Sequence, residues 1–311
     1  MDLQRPVSSG SKARLPDFIA VGPPRTASTW LDRVLTGRIG LPRGTKSTSF
    51  FTDNYSRGLD WYLSHFQGYG DEIPVGEFCP IYFASAQARE RIVRHIPRCK
   101  IICTLRDPVQ WLYSHYKVWR RHGRIKVGFE EALSKHFDLL MAPTRFAFYT
   151  ATWQATFGKE NVLVLVHDDL EADPQNYMDS VCAFLRISPF RVAESPAARQ
   201  GLNVITQAPR SRRLAQNAFH FMEWLTARRL YGVVRLLDRF GLWEYCFSGG
   251  EAYQPMAPAT EARLREMFRP EVYALECLLD RDLSPWKQPR APRKTIEADR
   301  INMRDWQSAR A

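Results

Sequence analysis

Four short apolar runs punctuate the chain, at residues 18–21, 73–78, 100–105 and 161–166. Each is too short for a buried helix and reads as a strand, the last (Asn161-Val162-Leu163-Val164-Leu165-Val166) most clearly. Between them, apolar residues recur at helical spacing. Trp30, Leu31, Val34 and Leu35 form one such face, and Tyr177, Val181, Phe184 and Leu185 another. Pro108 can open a third helix, carrying Trp111, Leu112, His115, Tyr116 and Trp119. Shorter helical patterns cover 58–66, 87–96 and 145–157. Beyond Ser195 the pattern turns helical and basic: one helical region over 210–238, then a closing helix over 264–279, interrupted near Pro270. Strands alternating with helices predict an α/β fold, a central parallel sheet flanked by helices, with a helical C-terminal part.

Parallel sheets bind ligands beyond the C-terminal ends of their strands. Those ends carry Arg25, Glu77, Arg106 and His167. The first is the most suggestive. Gly22-Pro23-Pro24 breaks the strand, Arg25-Thr26-Ala27 follows, and Ser28 or Thr29 is expected to cap the next helix. Backbone amides at a helix N-terminus attract anions, and a small residue such as Ala27 lets a phosphate come close. A second anion site is expected at Arg106, with Ser114 two turns into the following helix, on roughly the side of Asp107 and Trp111.

Charge sharpens this picture. The 311 residues carry a net +11, which favours an anionic ligand or surface. The six cysteines show neither paired nor zinc-ligating spacing and read as reduced core residues, so a cytoplasmic setting and no metal are expected. No stretch is long and apolar enough to span a bilayer, and the polar start lacks the pattern of a leader. Residues 1–16 read as a flexible arm, 17–286 as a single domain and 287–311 as a basic tail.

Pro24-Arg25-Thr26-Ala27-Ser28-Thr29-Trp30, Leu105-Arg106-Asp107-Pro108 with Ser114-His115-Tyr116, Glu160–Leu170 with Asp173-Pro174, and Leu279-Asp280-Arg281-Asp282-Leu283-Ser284-Pro285-Trp286 occur in an order that resembles the sulfotransferases dependent on 3′-phosphoadenosine 5′-phosphosulfate (PAPS). The resemblance implies a P-loop-like sheet and in-line transfer of a sulfuryl group from PAPS to a hydroxyl or amine of a small-molecule or carbohydrate acceptor. It also implies that Arg25, Thr26, Ala27, Ser28, Thr29 and Trp30 hold the 5′-phosphosulfate, and that Arg106 and Ser114 hold the 3′-phosphate. Arg199 and Gly201 resemble the family's late basic loop. Phe50-Phe51 with Gly58-Leu59-Asp60-Trp61-Tyr62, and Gly76-Glu77-Phe78-Cys79-Pro80, are similar to the heparan-type members.

This chain departs from that pattern at four positions. Ser47 stands where those enzymes place a catalytic Glu, Phe78 where they place Lys, Arg25 for the more usual Lys and Ala27 for Gly. Arg25 is expected to stabilise the leaving group and Glu77, at a strand end, to take the acceptor proton; Lys46, His65, His115 and His167 are rivals. Two other readings remain open. A P-loop nucleotide kinase would need the G-x-x-x-x-G-K-[ST] pattern, which the loop lacks. A non-catalytic binder of acidic glycan or nucleic acid would use the basic surface, yet no nucleic-acid-binding motif appears.

Overall fold

The computed structural model describes residues 14–199 and 205–289. Four strands, β1 (Phe18–Ala20), β2 (Gly76–Phe78), β3 (Lys100–Leu105) and β4 (Val162–Val166), form one parallel sheet in the order β2-β1-β3-β4. Side chains alternate across it because successive residues of a strand point to opposite faces. Ile19, Ile101, Cys103 and Leu105 enter one core with Phe50, Phe51, Tyr62 and Trp153; Phe18, Ala20, Ile102 and Leu165 enter the other with Trp30, Leu31, Tyr177 and Val181. The sheet is therefore buried on both sides, as its unbroken apolar runs require.

Every β-strand expected from the pattern forms, β3 over its full run and the other three with trimmed ends. The helices begin where local chemistry allows. Asp107 caps the helix Pro108–Arg121, accepting from the amides of Val109 (2.9 Å) and Gln110 (3.3 Å), with Pro108 in the first turn. Asp173 does the same for Pro174–Leu185.

The C-terminal part differs from expectation in three places. The single helical region over 210–238 is two helices, Arg212–Ala227 and Tyr231–Arg239, parted at Arg229, whose φ is 58°. The closing helix runs unbroken over Pro258–Leu279 with Pro270 inside it. Leu264, Phe268, Val272 and Leu275 are buried along it, and that packing offsets the hydrogen bond proline removes. An antiparallel pair, β5 (Gln207–Pro209) and β6 (Gly249–Ala252), closes this part of the molecule and was not expected.

The arm and tail fall largely outside the described residues. Arg14, expected in the arm, is held against the domain by the Ile73 carbonyl (2.7 Å) and Asp71 (3.0 Å).

Candidate active site

A cavity of about 290 Å³ opens at the C-terminal edge of the sheet. Three strand ends build most of its wall. Pro24, Arg25, Ala27, Ser28, Thr29 and Trp30 come from the loop and helix after β1. Arg106, Gln110, Tyr113, Ser114 and Lys117 follow β3, and His167 with Glu171 follows β4. Lys46 and Arg33 complete the cationic lining.

The loop after β1 is shaped by contacts to β3. A Cβ at Gly22 would lie 2.3 Å from Thr104 Oγ1 and 2.4 Å from the Thr104 backbone, so only glycine fits. Thr26 is buried; its hydroxyl meets the Pro23 carbonyl and Thr104 Oγ1, each at 2.6 Å. Arg25 and Ala27 on either side have φ of 71° and 73°, a left-handed backbone that side chains disfavour. Ala27, rather than Ser28 or Thr29, is the N-cap of the helix Ser28–Leu35, and no side chain caps that end. The amides of its first turn have no intrahelical acceptor and stand at the positive end of the helix dipole, facing the cavity. Lys46 Nζ donates to Ser28 Oγ (3.2 Å) and Thr29 Oγ1 (2.9 Å) at the same place.

The cations are crowded. Arg25 Nε donates to Ser114 Oγ at 3.1 Å, and Arg106 Nη1 to the Arg25 carbonyl at 3.4 Å. Burial, then the charges of Arg106 and Arg121, lowers the Arg25 pKa to about 10. Burial, then Arg25 and Arg106, lowers Lys117 to about 8. Both shifts report positive charge held together out of water, and a bound polyanion would relieve it. Below the cavity, Arg265 is 2% exposed and donates to both oxygens of the fully buried Asp107 at 2.8 Å and to the Trp286 carbonyl at 2.7 Å. That pair fixes the turn that aims Arg106.

The sequence profile of the sulfotransferase domain matches residues 15–195, more than half of the chain. The chain belongs to the sulfotransferase family. It is 29% identical over 198 residues to human bifunctional heparan sulfate N-deacetylase/N-sulfotransferase 3 and 28% identical over 197 residues to the mouse form 4. Those matches cover 57% and 56% of this chain but 23% of each relative, so the chain spans about a quarter of their length. A solved sulfotransferase from Alicyclobacillus acidocaldarius shares the fold, with a TM-score of 0.64 at 22% identity, over 88% of this chain and all of the other.

Within this sulfotransferase the family motifs bond to one another. The Trp111 indole donates to the Pro24 carbonyl, tying the second motif to the first. Trp286 donates to Asp168, and Arg281 pairs with Asp169, tying the fourth motif to the third. Arg25, Ala27, Ser28, Thr29, Trp30, Arg106 and Ser114 share one cavity.

Other expectations fail on physical grounds. Thr26 faces Thr104 and the loop interior, so its hydroxyl shapes the loop and does not line the cavity. Glu77 is fully buried and absent from the lining. Its Oε2 accepts from the Thr48 amide (2.9 Å) and hydroxyl (2.8 Å), and its Oε1 from the Tyr62 and Tyr82 hydroxyls, each at 3.1 Å. Desolvation raises its pKa while those donors pull it back. A carboxylate so enclosed organises the loop around Thr48 and cannot reach an acceptor proton.

His65 and His115 are likewise set aside from the cavity. Burial lowers both pKa values, His115 to about 4, and His115 Nε2 accepts from the Trp119 indole at 2.7 Å. Trp111 lies beneath the loop rather than beside Ser114 in the lining. Phe78 is fully buried against Phe18 and brings no charge to the site. Arg199 ends the short helix Pro196–Arg199, while Gly201 lies outside the described residues.

Gln110, Tyr113 and Lys117 were missed. Their signal was present: with Ser114 they stand at i, i+3, i+4 and i+7 on one side of the helix Pro108–Arg121.

Proposed function

We propose that this sulfotransferase moves a sulfuryl group from PAPS to a hydroxyl or amine of a small-molecule or carbohydrate acceptor, in line. The observation that carries the reading is the joint placement of the half-buried Arg25, Arg106, Ser114 and Lys117 in one cationic cavity beside an uncapped helix N-terminus. Such a cavity suits a ligand with anionic groups at two positions. Arg106, Ser114 and Lys117 hold the 3′-phosphate. Arg25 and the amides after Ala27 meet the charge that builds on the leaving phosphate, and their fixed positions make that stabilisation effective. Arg25 keeps its proton throughout and acts as a charge, not an acid.

Lys46, at the mouth of the same helix, supplies the cation that the buried Phe78 cannot and steadies the transferring group. The carbohydrate class is supported by the named heparan sulfate relatives. A cytoplasmic setting is supported by six free cysteines, five of them buried. With arginine and lysine meeting the anion, turnover needs no metal.

A thermal-shift titration tests the reading. Adenosine 3′,5′-bisphosphate should stabilise the chain far more than ATP with magnesium does, and sulfuryl transfer from PAPS should persist in chelator. Arg25→Ala should abolish transfer, a loss of roughly a thousandfold or more. Stabilisation by ATP alone, with magnesium-dependent phosphoryl transfer, would establish the kinase reading instead.

A further inference from the structure

The helix Tyr231–Arg239 wears its apolar side outward. Its one buried residue is Asp238, at 4% exposure. Leu230, Val233, Leu236 and Phe240, spaced along one side of the helix, are 40%, 39%, 52% and 75% exposed. The neighbouring helix adds Phe221 and Trp224, stacked at 6.0 Å with the Arg228 guanidinium 4.1 Å over the Trp224 ring. With Tyr245, half of the exposed large apolar side chains among the described residues fall within residues 221–245. Soluble surfaces scatter such residues singly; a concentration of them marks a contact face.

Charge selects the partner. Residues 210–247 hold seven arginines against three acidic residues, Glu223, Asp238 and Glu244; Arg212 and Arg229 bond back to the domain, leaving Arg210, Arg213, Arg228, Arg235 and Arg239 for the contact. A second copy of the chain would bring the same positive charge to the contact. A layer with an anionic surface over an apolar interior matches both features, since arginine pairs with headgroup phosphates while Trp, Tyr, Phe and Leu settle at the boundary. We propose that this face docks the enzyme on an anionic phospholipid bilayer.

The face is fixed rigidly to the domain. Arg229 donates to the Trp61 carbonyl (2.9 Å) and Ser64 Oγ (2.8 Å), and Arg57 donates to the Ala227 carbonyl (2.7 Å). Tyr231 packs on Gly44 so closely that a side chain there would collide, two residues from Lys46 in the cavity. Docking would therefore hold the cavity at a set height above the lipid. The inference is independent of the sulfuryl donor.

Cosedimentation of the full chain with vesicles of phosphatidylcholine alone, or mixed with phosphatidylglycerol, tests it. The chain should sediment with the mixed vesicles, dissociate as salt rises, and stay in the supernatant with phosphatidylcholine alone. Leu236→Ser combined with Phe240→Ser should lower partitioning at least about tenfold, and Arg235→Glu with Arg239→Glu should do the same. All four side chains already meet water, so the variants should keep the native melting temperature. Equal binding to both vesicle types, undiminished binding by a folded variant, or no binding at all would overturn the proposal. So would a dimer that dissolves in the Leu236→Ser, Phe240→Ser chain.

Discussion

The two walls of the cavity are built differently. The wall from β1 and β3 is locked by contacts at every step: Gly22 and Thr26 on Thr104, Trp111 on Pro24, Arg25 on Ser114, and Arg265 beneath Asp107. The wall that Lys46 contributes is held less directly: nearby Thr48 hangs on the buried carboxylate of Glu77, and Arg57 ties the following stretch to the Ala227 carbonyl. Both walls carry departures from the heparan-type pattern: Arg25 and Ala27 stand on the first wall where Lys and Gly are usual, and Ser47 and Phe78 lie by the second where the pattern has Glu and Lys. The exchange at Arg25 keeps a cation on the over-determined side, whereas Ser47 and Phe78 leave the other side without the charged groups of the pattern.

Substitutions can break this contrast or sharpen it. The largest effect should come from Arg265→Ala, which removes the guanidinium bonded to both oxygens of the buried Asp107 and should cost about 3–5 kcal/mol in chemical denaturation. A variant of native stability would show that the first wall is not locked from below. Next comes Lys46→Ala. It should lower kcat roughly a hundredfold while affinity for adenosine 3′,5′-bisphosphate, which lacks the transferring group, stays within about threefold. Equal losses in both would move Lys46 to the nucleotide wall.

Glu77→Gln should cost about 1–3 kcal/mol, because an amide cannot accept from all four donors, yet leave bisphosphate binding intact. A lost bisphosphate response in the folded variant would tie the two walls together. The smallest effect is that of pH. Lys117 titrates near 8 in the free protein, and a bound anion raises its pKa, so binding takes up a proton. Bisphosphate affinity should therefore weaken as pH rises past about 8, by up to about tenfold, in calorimetric titrations. Lys117→Met should flatten that slope.

Legibility in the sequence follows the same division. Strand runs, the Gly22–Trp30 loop and the Arg106–Ser114 pairing could be read because their chemistry is local: a turn, a helix start, a residue two helical turns away. Lys117 was readable from the same helical stripe once Ser114 was placed on it. Glu77 misled because a strand-end carboxylate looks the same in sequence whether it faces solvent or is enclosed by Tyr62, Tyr82 and Thr48. The bond from Arg265 to Asp107 spans 158 residues, and no local pattern announces it. Pro270 misled in the opposite sense, since burial around it outweighed its local preference.

That long bond sets the smallest piece of chain able to work. The family profile ends at residue 195, yet Asp107 needs Arg265, and Asp168 needs Trp286. A fragment cut at the profile's edge would leave Asp107 without the Arg265 guanidinium and Asp168 without the Trp286 indole. Anyone transplanting this enzyme into a fusion, or shuffling it with a relative, must carry the last helix and the tryptophan after it along with the sheet they brace.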